Sequence, residues 1–252
     1  MVRRAVVAAC LLGVLAACAP GGTAPSAMPD DVVAASAALP AVVGEGKRVP
    51  PPPAAAPATA APMFTATIEE ITPETAARMT ASWRPGCPVP LEDLRLVTVD
   101  VIGFDGTVQT GELVVHADSA DGIVQVFGTL FTERFPIRQM RLVDEFGADD
   151  SASMAADNTS AFNCRLITGG STWSEHAYGR AIDINPVENP YVLGGHVAPR
   201  DGRAYVDRPD EPGVVHDGDV VVRAFAAIGW SWGGHWQPPR ALDYQHFSAT
   251  GR

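Results

Sequence analysis

Ser174-Glu175-His176-Ala177-Tyr178-Gly179-Arg180-Ala181-Ile182-Asp183-Ile184-Asn185 is the stretch on which the reading of this 252-residue chain turns. From Arg180 to Asn185 it alternates as a strand does, with Ala181, Asp183 and Asn185 on one face and Ile182 and Ile184 on the other. Two isoleucines belong in a core, so Asp183 points toward whatever lies opposite. Gly179 allows a turn just before the strand, so that His176 reaches back to the same place. Further along, Asp243-Tyr244-Gln245-His246-Phe247 supplies a second imidazole. Two neutral imidazoles and one carboxylate make the three-ligand set of a catalytic zinc, with a fourth position left for water. Asp243 stands three residues before His246, so a regular strand would point the two apart, and a turn is needed to bring both to one site. A carboxylate beside such a metal can take the proton of an activated water, which is metal-assisted peptide hydrolysis without a covalent intermediate.

Around these stretches the pattern is mixed. Thr72-Pro73-Glu74 reads as an N-cap, a proline in the first turn and an early acid, opening a helix through about Ser82. Alternation over Leu94 to Val99 and over Gly111 to His116 predicts two strands joined by a turn at Phe104-Asp105-Gly106-Thr107. Ile123, Phe127, Leu130 and Phe131 follow helical spacing, Pro136 ends that helix, and a short strand is expected around Ile137 to Leu142. Asp219 caps a last helix with Val221, Ala224, Phe225 and Ile228 on its apolar face and Gly229 at its end. Phe162-Asn163-Cys164-Arg165 reads as another strand. Strands and helices without regular alternation argue for an α+β fold, a small antiparallel sheet carrying the metal site flanked by helices.

The two chemical stretches together resemble a known family, the VanY-like zinc D-alanyl-D-alanine carboxypeptidases and their relatives the L-alanyl-D-glutamate endopeptidases, which share the Hedgehog/DD-peptidase-like fold. The family carries Ser-x-His-x-x-Gly-x-Ala-x-Asp followed by an acid-x-x-His. Ser174, His176, Gly179, Ala181 and Asp183 match the first element, and Asp243 with His246 matches the second. The resemblance implies that His176, Asp183 and His246 bind one zinc ion and that Asp243 is the general base. By the same resemblance Arg165 stabilises the oxyanion or grips the substrate carboxylate, and Ser174 helps hold substrate or the metal shell. It implies a substrate too, the stem peptide of peptidoglycan, trimmed at its terminal D-alanine or cut internally. A non-catalytic zinc-binding cell-wall module stays open beside it. His235 stands where close relatives often have aspartate, and the Gly/Pro-rich insertion from Asn189 to Asp219 is long enough to form a specificity loop.

The remaining motifs concern delivery. Arg3 and Arg4 precede an apolar run ending in Leu15-Ala16-Ala17-Cys18, which reads as a signal segment over 1–17 and resembles a bacterial lipobox with Cys18 as the lipidated residue. Two acyl chains there anchor a protein stably to a membrane, so the expected location is the extracytoplasmic face of the cell membrane. From 18 to 62 an Ala/Pro-rich linker, poor in aromatic and branched residues, reads as a disordered stalk, and the zinc peptidase domain is expected over 63–252. With Cys10 lost in the signal and Cys18 lipidated, Cys87 and Cys164 remain and most simply form a disulfide outside the cytoplasm. A reactive Cys164 working with His176 is the competing reading.

Composition sets the outer limits. A net charge of −11 gives no basic surface, so nucleic acid is not an expected partner. Beyond the first twenty residues no apolar run approaches the ~20 residues that cross a bilayer. His116, His196 and His216 lack partners at ligand spacing and are expected in loops or at the surface. Trp230, Trp232 and Trp236 are expected to pack the domain rather than stack on sugars, and Arg138 and Arg180 have surface charge as their simplest role.

Overall fold

The computed structural model describes residues 62–237 and 239–251. The signal segment 1–17, Cys18 and all of the linker 18–62 except its last residue lie outside the described residues. Within them, antiparallel sheets and helices mix in the α+β manner expected.

The largest sheet is a meander of β1 (Ala66–Glu70), β2 (Leu94–Ile102) and β3 (Val108–His116), with the expected turn between the last two. There Asp105 accepts hydrogen bonds from the backbone and hydroxyl of Thr107, an aspartate turn that fixes the register. β2 is buried on both faces. Val97, Val99 and Val101 enter the main core, while Leu94 and Leu96 enter a second cluster with Met79, Val114, Phe162 and Cys164. Over the first face lies α2 (Ala120–Thr132), through Ile123, Phe127 and Leu130, and α4 (Val220–Ala227) packs on α2 with Val221 and Phe225 in the same core. Asp219 caps α4 as the sequence indicates, its Oδ1 accepting from Val222 N at 3.0 Å.

Three segments depart from the sequence expectation, the first two because tertiary hydrogen bonds take the backbone groups that a longer element would use. α1 (Pro73–Arg78) stops before Ser82, and the amides of Ala81 and Ser82 instead donate to Asp144 Oδ1. Residues Phe162 to Arg165 do not form a strand. Their amides donate in turn to the carbonyls of Val114, His176, Ser82 and Asn163, so the segment is stitched to four places rather than to one ladder. The strand expected near Ile137 is reduced to β4 (Gln139–Met140). It pairs in parallel with β5 (Asn158–Thr159), and α3 (Asp150–Ala155) lies between them in the chain.

The site sheet is built from β6 (Ala181–Asp183), β9 (Ser231–Trp232) and β11 (His246–Ser248), with β11 central. Ile182, Ile184 and Phe247 put its back into the main core. Phe247 stacks on Phe225 of α4 with centroids 4.1 Å apart, and Trp230 and Trp232 pack there as expected. The insertion is not a free loop. It forms the hairpin β7 (Tyr191–Leu193) and β8 (His196–Ala198), and β7 pairs with β10 (Leu242–Asp243). Arg208 plugs it down, donating to the carbonyls of Glu188 and Val215 while its guanidinium covers the Tyr244 ring.

Cys87 and Cys164 are joined in a disulfide with Cα atoms 5.8 Å apart, which removes Cys164 as a nucleophile. The bond ties the loop after α1 to the segment that backs His176. Replacing both cysteines with serine should lower the unfolding free energy by roughly 4–5 kcal/mol on loop-entropy grounds, read as a fall in the urea midpoint that reductant reproduces in the wild type.

Glu188 is a second buried constraint. Burial, reinforced by the neighbouring Asp157, pushes its carboxyl up to about 7, with Arg138 opposing. A carboxyl raised on folding favours the native state below its unfolded value near 4.5, and that contribution is lost as pH rises through about 7. Glu188→Gln should therefore gain thermal stability over wild type on going from pH 5 to pH 8, measured by paired melting curves.

Candidate metal centre

His176 enters the site on a short 3-10 turn, Glu175–Tyr178. Ser174 caps that turn, its Oγ accepting from His176 N at 3.4 Å, so the serine of the motif acts here on the backbone of the histidine. Gly179 closes the turn at φ +65°, and a Cβ at this position would stand 2.6 Å from His116 N of β3. Only glycine allows the chain to pass so close and still enter β6.

Asp183 ends β6 and faces His246 directly across the antiparallel pair with β11. Partners in such a pair share a face, which brings them together without any loop rearrangement. His246 Nδ1 lies 3.1 Å from Asp183 Oδ1, His176 Nε2 lies 3.2 Å from Asp183 Oδ2, and the two imidazole nitrogens are 3.3 Å apart. All three side chains are buried. One donor atom from each residue lies within 4.8 Å of the other two, a spacing compatible with a metal ion among them, and two imidazoles with a carboxylate are donors that suit zinc. His176 Nδ1 donates to the Ala161 carbonyl at 2.6 Å, which fixes the tautomer that leaves Nε2 free to ligate. Burial pushes the Asp183 carboxyl up, yet the charge and hydrogen bonds of His176 and those of His246 outweigh it and hold the group well below the usual carboxylate range.

The turn required to bring Asp243 to this place exists. Tyr244 and Gln245 bend between β10 and β11, so Asp243 and His246 serve one site from two sheets. Pairing with Tyr191 of β7 holds Asp243 in place, and Gly233 lets the following segment pass, since a Cβ there would stand 2.5 Å from the Asp243 carbonyl oxygen. Asp243 Oδ1 is buried and has no hydrogen-bond partner. Burial raises this carboxyl to about 6, Asp183 adding to the rise while His246, Gln245 and His176 oppose it. A carboxylate poised near neutrality with an open lone pair is equipped to take a proton.

Arg165 is placed differently. Ser174 N donates to its carbonyl, which sets it beside the His176 turn, but its guanidinium contacts Asp150 and the Leu166 carbonyl rather than the triad. His235 also stands apart, exposed and paired with Asp217 at 2.7 Å. Asn185 leaves the strand face on a positive φ, and its amide instead ties Pro136 and Gly213 to β6. Arg138 is no plain surface charge, since it pairs with Asp157 and Glu188 and covers Phe104, and Arg180 pairs with Asp118.

Two neighbours escaped the sequence reading. Trp236 stands with its ring centroid 5.5 Å from that of His246 and carries Arg240 over its face. Gln245, between Asp243 and His246 in the chain, is buried, with its Oε1 unpartnered and its Nε2 3.3 Å from Met154 Sδ. Its place between Asp243 and His246 was the available signal, but strand alternation points it into the core, and only the bend turns it to the site.

Chelator-treated protein should take up one equivalent of zinc with a rise in melting temperature, and His246→Ala should lose both effects, as read by metal analysis and calorimetry.

No curated protein and no solved structure matches the chain significantly. Residues 168–249 match the family described as D-alanyl-D-alanine carboxypeptidase. That span holds Ser174, His176, Asp183, Asp243 and His246, points to a peptidase, and supports the VanY-like family over the stretch that carries the site.

Proposed function

We propose that the protein is a zinc metallopeptidase acting on peptidoglycan stem peptides as a D-alanyl-D-alanine carboxypeptidase, anchored through a lipid on Cys18 at the outer face of the cell membrane. The observation that carries the reading is the buried group of His176, Asp183 and His246, with the Asp243 carboxyl beside it and its Oδ1 free of hydrogen-bond partners. When bound, zinc supplies Lewis-acid polarisation of the scissile carbonyl and acidification of water.

The chain's own groups do the rest. His176, fixed by Ala161, and His246, fixed in register against Asp183, hold the ligand set with little freedom to rearrange. Asp243 Oδ1 accepts a proton from the attacking water and returns it to the leaving amine. Its raised carboxyl makes the return step easy. Trp236 packs its ring beside the His246 imidazole and so limits how that side chain can turn.

Incubating zinc-loaded protein with a pentapeptide stem and separating released D-alanine from internal fragments tests the reading. Terminal release supports it, internal cleavage assigns the endopeptidase instead, and neither product rejects catalysis in favour of a zinc-binding module. Asp243→Asn should lower kcat by about 10²–10⁴ while zinc stoichiometry is kept.

The pH profile follows from the same group. Asp243 must be ionised to accept a proton, so activity is present above its pKa and lost as pH falls through it. Bound zinc favours the ionised form, and the acidic limb of kcat/KM should therefore lie at or below about 6. A limb above 7 contradicts the assignment.

A further inference from the structure

The sheet of β10, β7 and β8 carries more than Asp243 on its metal side. Tyr191 of β7 is the direct partner of Asp243, and Ala198 of β8 is in turn the partner of Tyr191. Partners in an antiparallel pair share a face, so the Tyr191 side chain stands on the face that holds the Asp243 carboxyl. His196, two residues from Ala198, shares that face, and its ring meets Tyr191 edge-on with centroids 6.3 Å apart. That contact steadies the tyrosine ring.

The phenol there is an open donor. Tyr191 is half-buried, its hydroxyl has no hydrogen-bond partner among the described residues, and, unlike Asp243 Oδ1, it is not sealed from solvent. Burial and the charge of Asp243 push the phenol above its ordinary value, so it stays protonated at neutral pH. Arg165 is not open in this way, since Asp150 and the Leu166 carbonyl occupy its terminal nitrogens and its Nε is buried. Among the described residues, the charges that act on Asp243 are those of His246, Asp183 and His176, and none comes from an arginine or a lysine. The water that gives its proton to Asp243 attacks the carbon of the scissile carbonyl, so the oxygen on which charge develops lies one bond from the attacked atom. A donor beside Asp243 is therefore close to that oxygen as well.

We propose that Tyr191 is a catalytic residue, its phenolic O–H donating a hydrogen bond to the scissile carbonyl oxygen as that oxygen gains negative charge during the attack of water. The phenol keeps its own proton, so no bond to it forms or breaks. The proposal rests on the peptidase reading above, and it gives to a tyrosine of the insertion the oxyanion task that the resemblance implies for Arg165.

Tyr191→Phe in the full zinc-loaded chain tests it, because the change removes only the hydroxyl and leaves the β7–β10 pairing in place. On a pentapeptide stem the variant should lose roughly 10²-fold in kcat with KM within about twofold, since a donor that meets only the developing charge acts on the transition state and not on the bound ground state. Zinc stoichiometry and melting temperature should stay at wild-type values. A phosphinate analogue of the D-alanyl-D-alanine bond, whose tetrahedral anion imitates that charge, should bind Tyr191→Phe roughly 10²-fold more weakly by calorimetry. Wild-type kcat in the variant, a loss carried by KM, a shift of the acidic limb of the pH profile with phosphinate affinity kept, or a fall in zinc content would each overturn the proposal. If the wild type cleaves the stem peptide at neither place, the peptidase reading has failed by itself. The phosphinate measurement then decides alone, and the proposal stands only if the wild type binds the analogue and Tyr191→Phe binds it at least tenfold more weakly.

Discussion

Everything at this site depends on the facing of Asp183 and His246 across the β6–β11 pair. In an antiparallel ladder, partners share a face and their neighbours share the other, so placing these two side chains on the metal side obliges Ile182 and Phe247 to enter the core. The core accepts them, and the stack of Phe247 on Phe225 locks the register from behind. A slip of one residue would turn the carboxylate into the apolar core and the phenylalanine onto the polar side. The hydrophobic core and the facing of Asp183 with His246 are therefore two sides of one constraint, and His176 needs only a glycine turn and a carbonyl to join them.

Asp243 obeys a second constraint from a different sheet. It lies on β10, whose partner β7 belongs to the segment from Asn189 to Asp219, so this insertion holds Asp243 in place. Arg208, Asn189 and Glu188 pin the insertion to the body of the domain through hydrogen bonds to backbone and side chain. The open Oδ1 of Asp243 and the open Oε1 of Gln245 are buried polar atoms of the kind that cost stability unless a ligand or water meets them.

The disulfide has a comparable place in the design. It fixes Cys164, and with it the neighbours Asn163 and Arg165, to the loop after α1. Asn163 N donates to the His176 carbonyl, so the bond stiffens the wall behind His176. Together with α3 it leaves the Arg165 segment held at both ends although it belongs to no sheet.

Much of this was legible in the residues. Alternation in Arg180 to Asn185 places Asp183 opposite the isoleucines, and the fixed spacing of His176, Gly179, Asp183, Asp243 and His246 indicates a metal site, because strand period and ligand chemistry are local properties. Caps at Thr72 and Asp219 were legible for the same reason. Tertiary structure alone decided where α1 stops, that Phe162 to Arg165 spreads its amides over four partners, that Ser174 serves the backbone, and that the insertion becomes the support of Asp243. Each of these turns on which distant donor or acceptor satisfies a backbone group, and sequence spacing carries no information about a partner that only folding brings near.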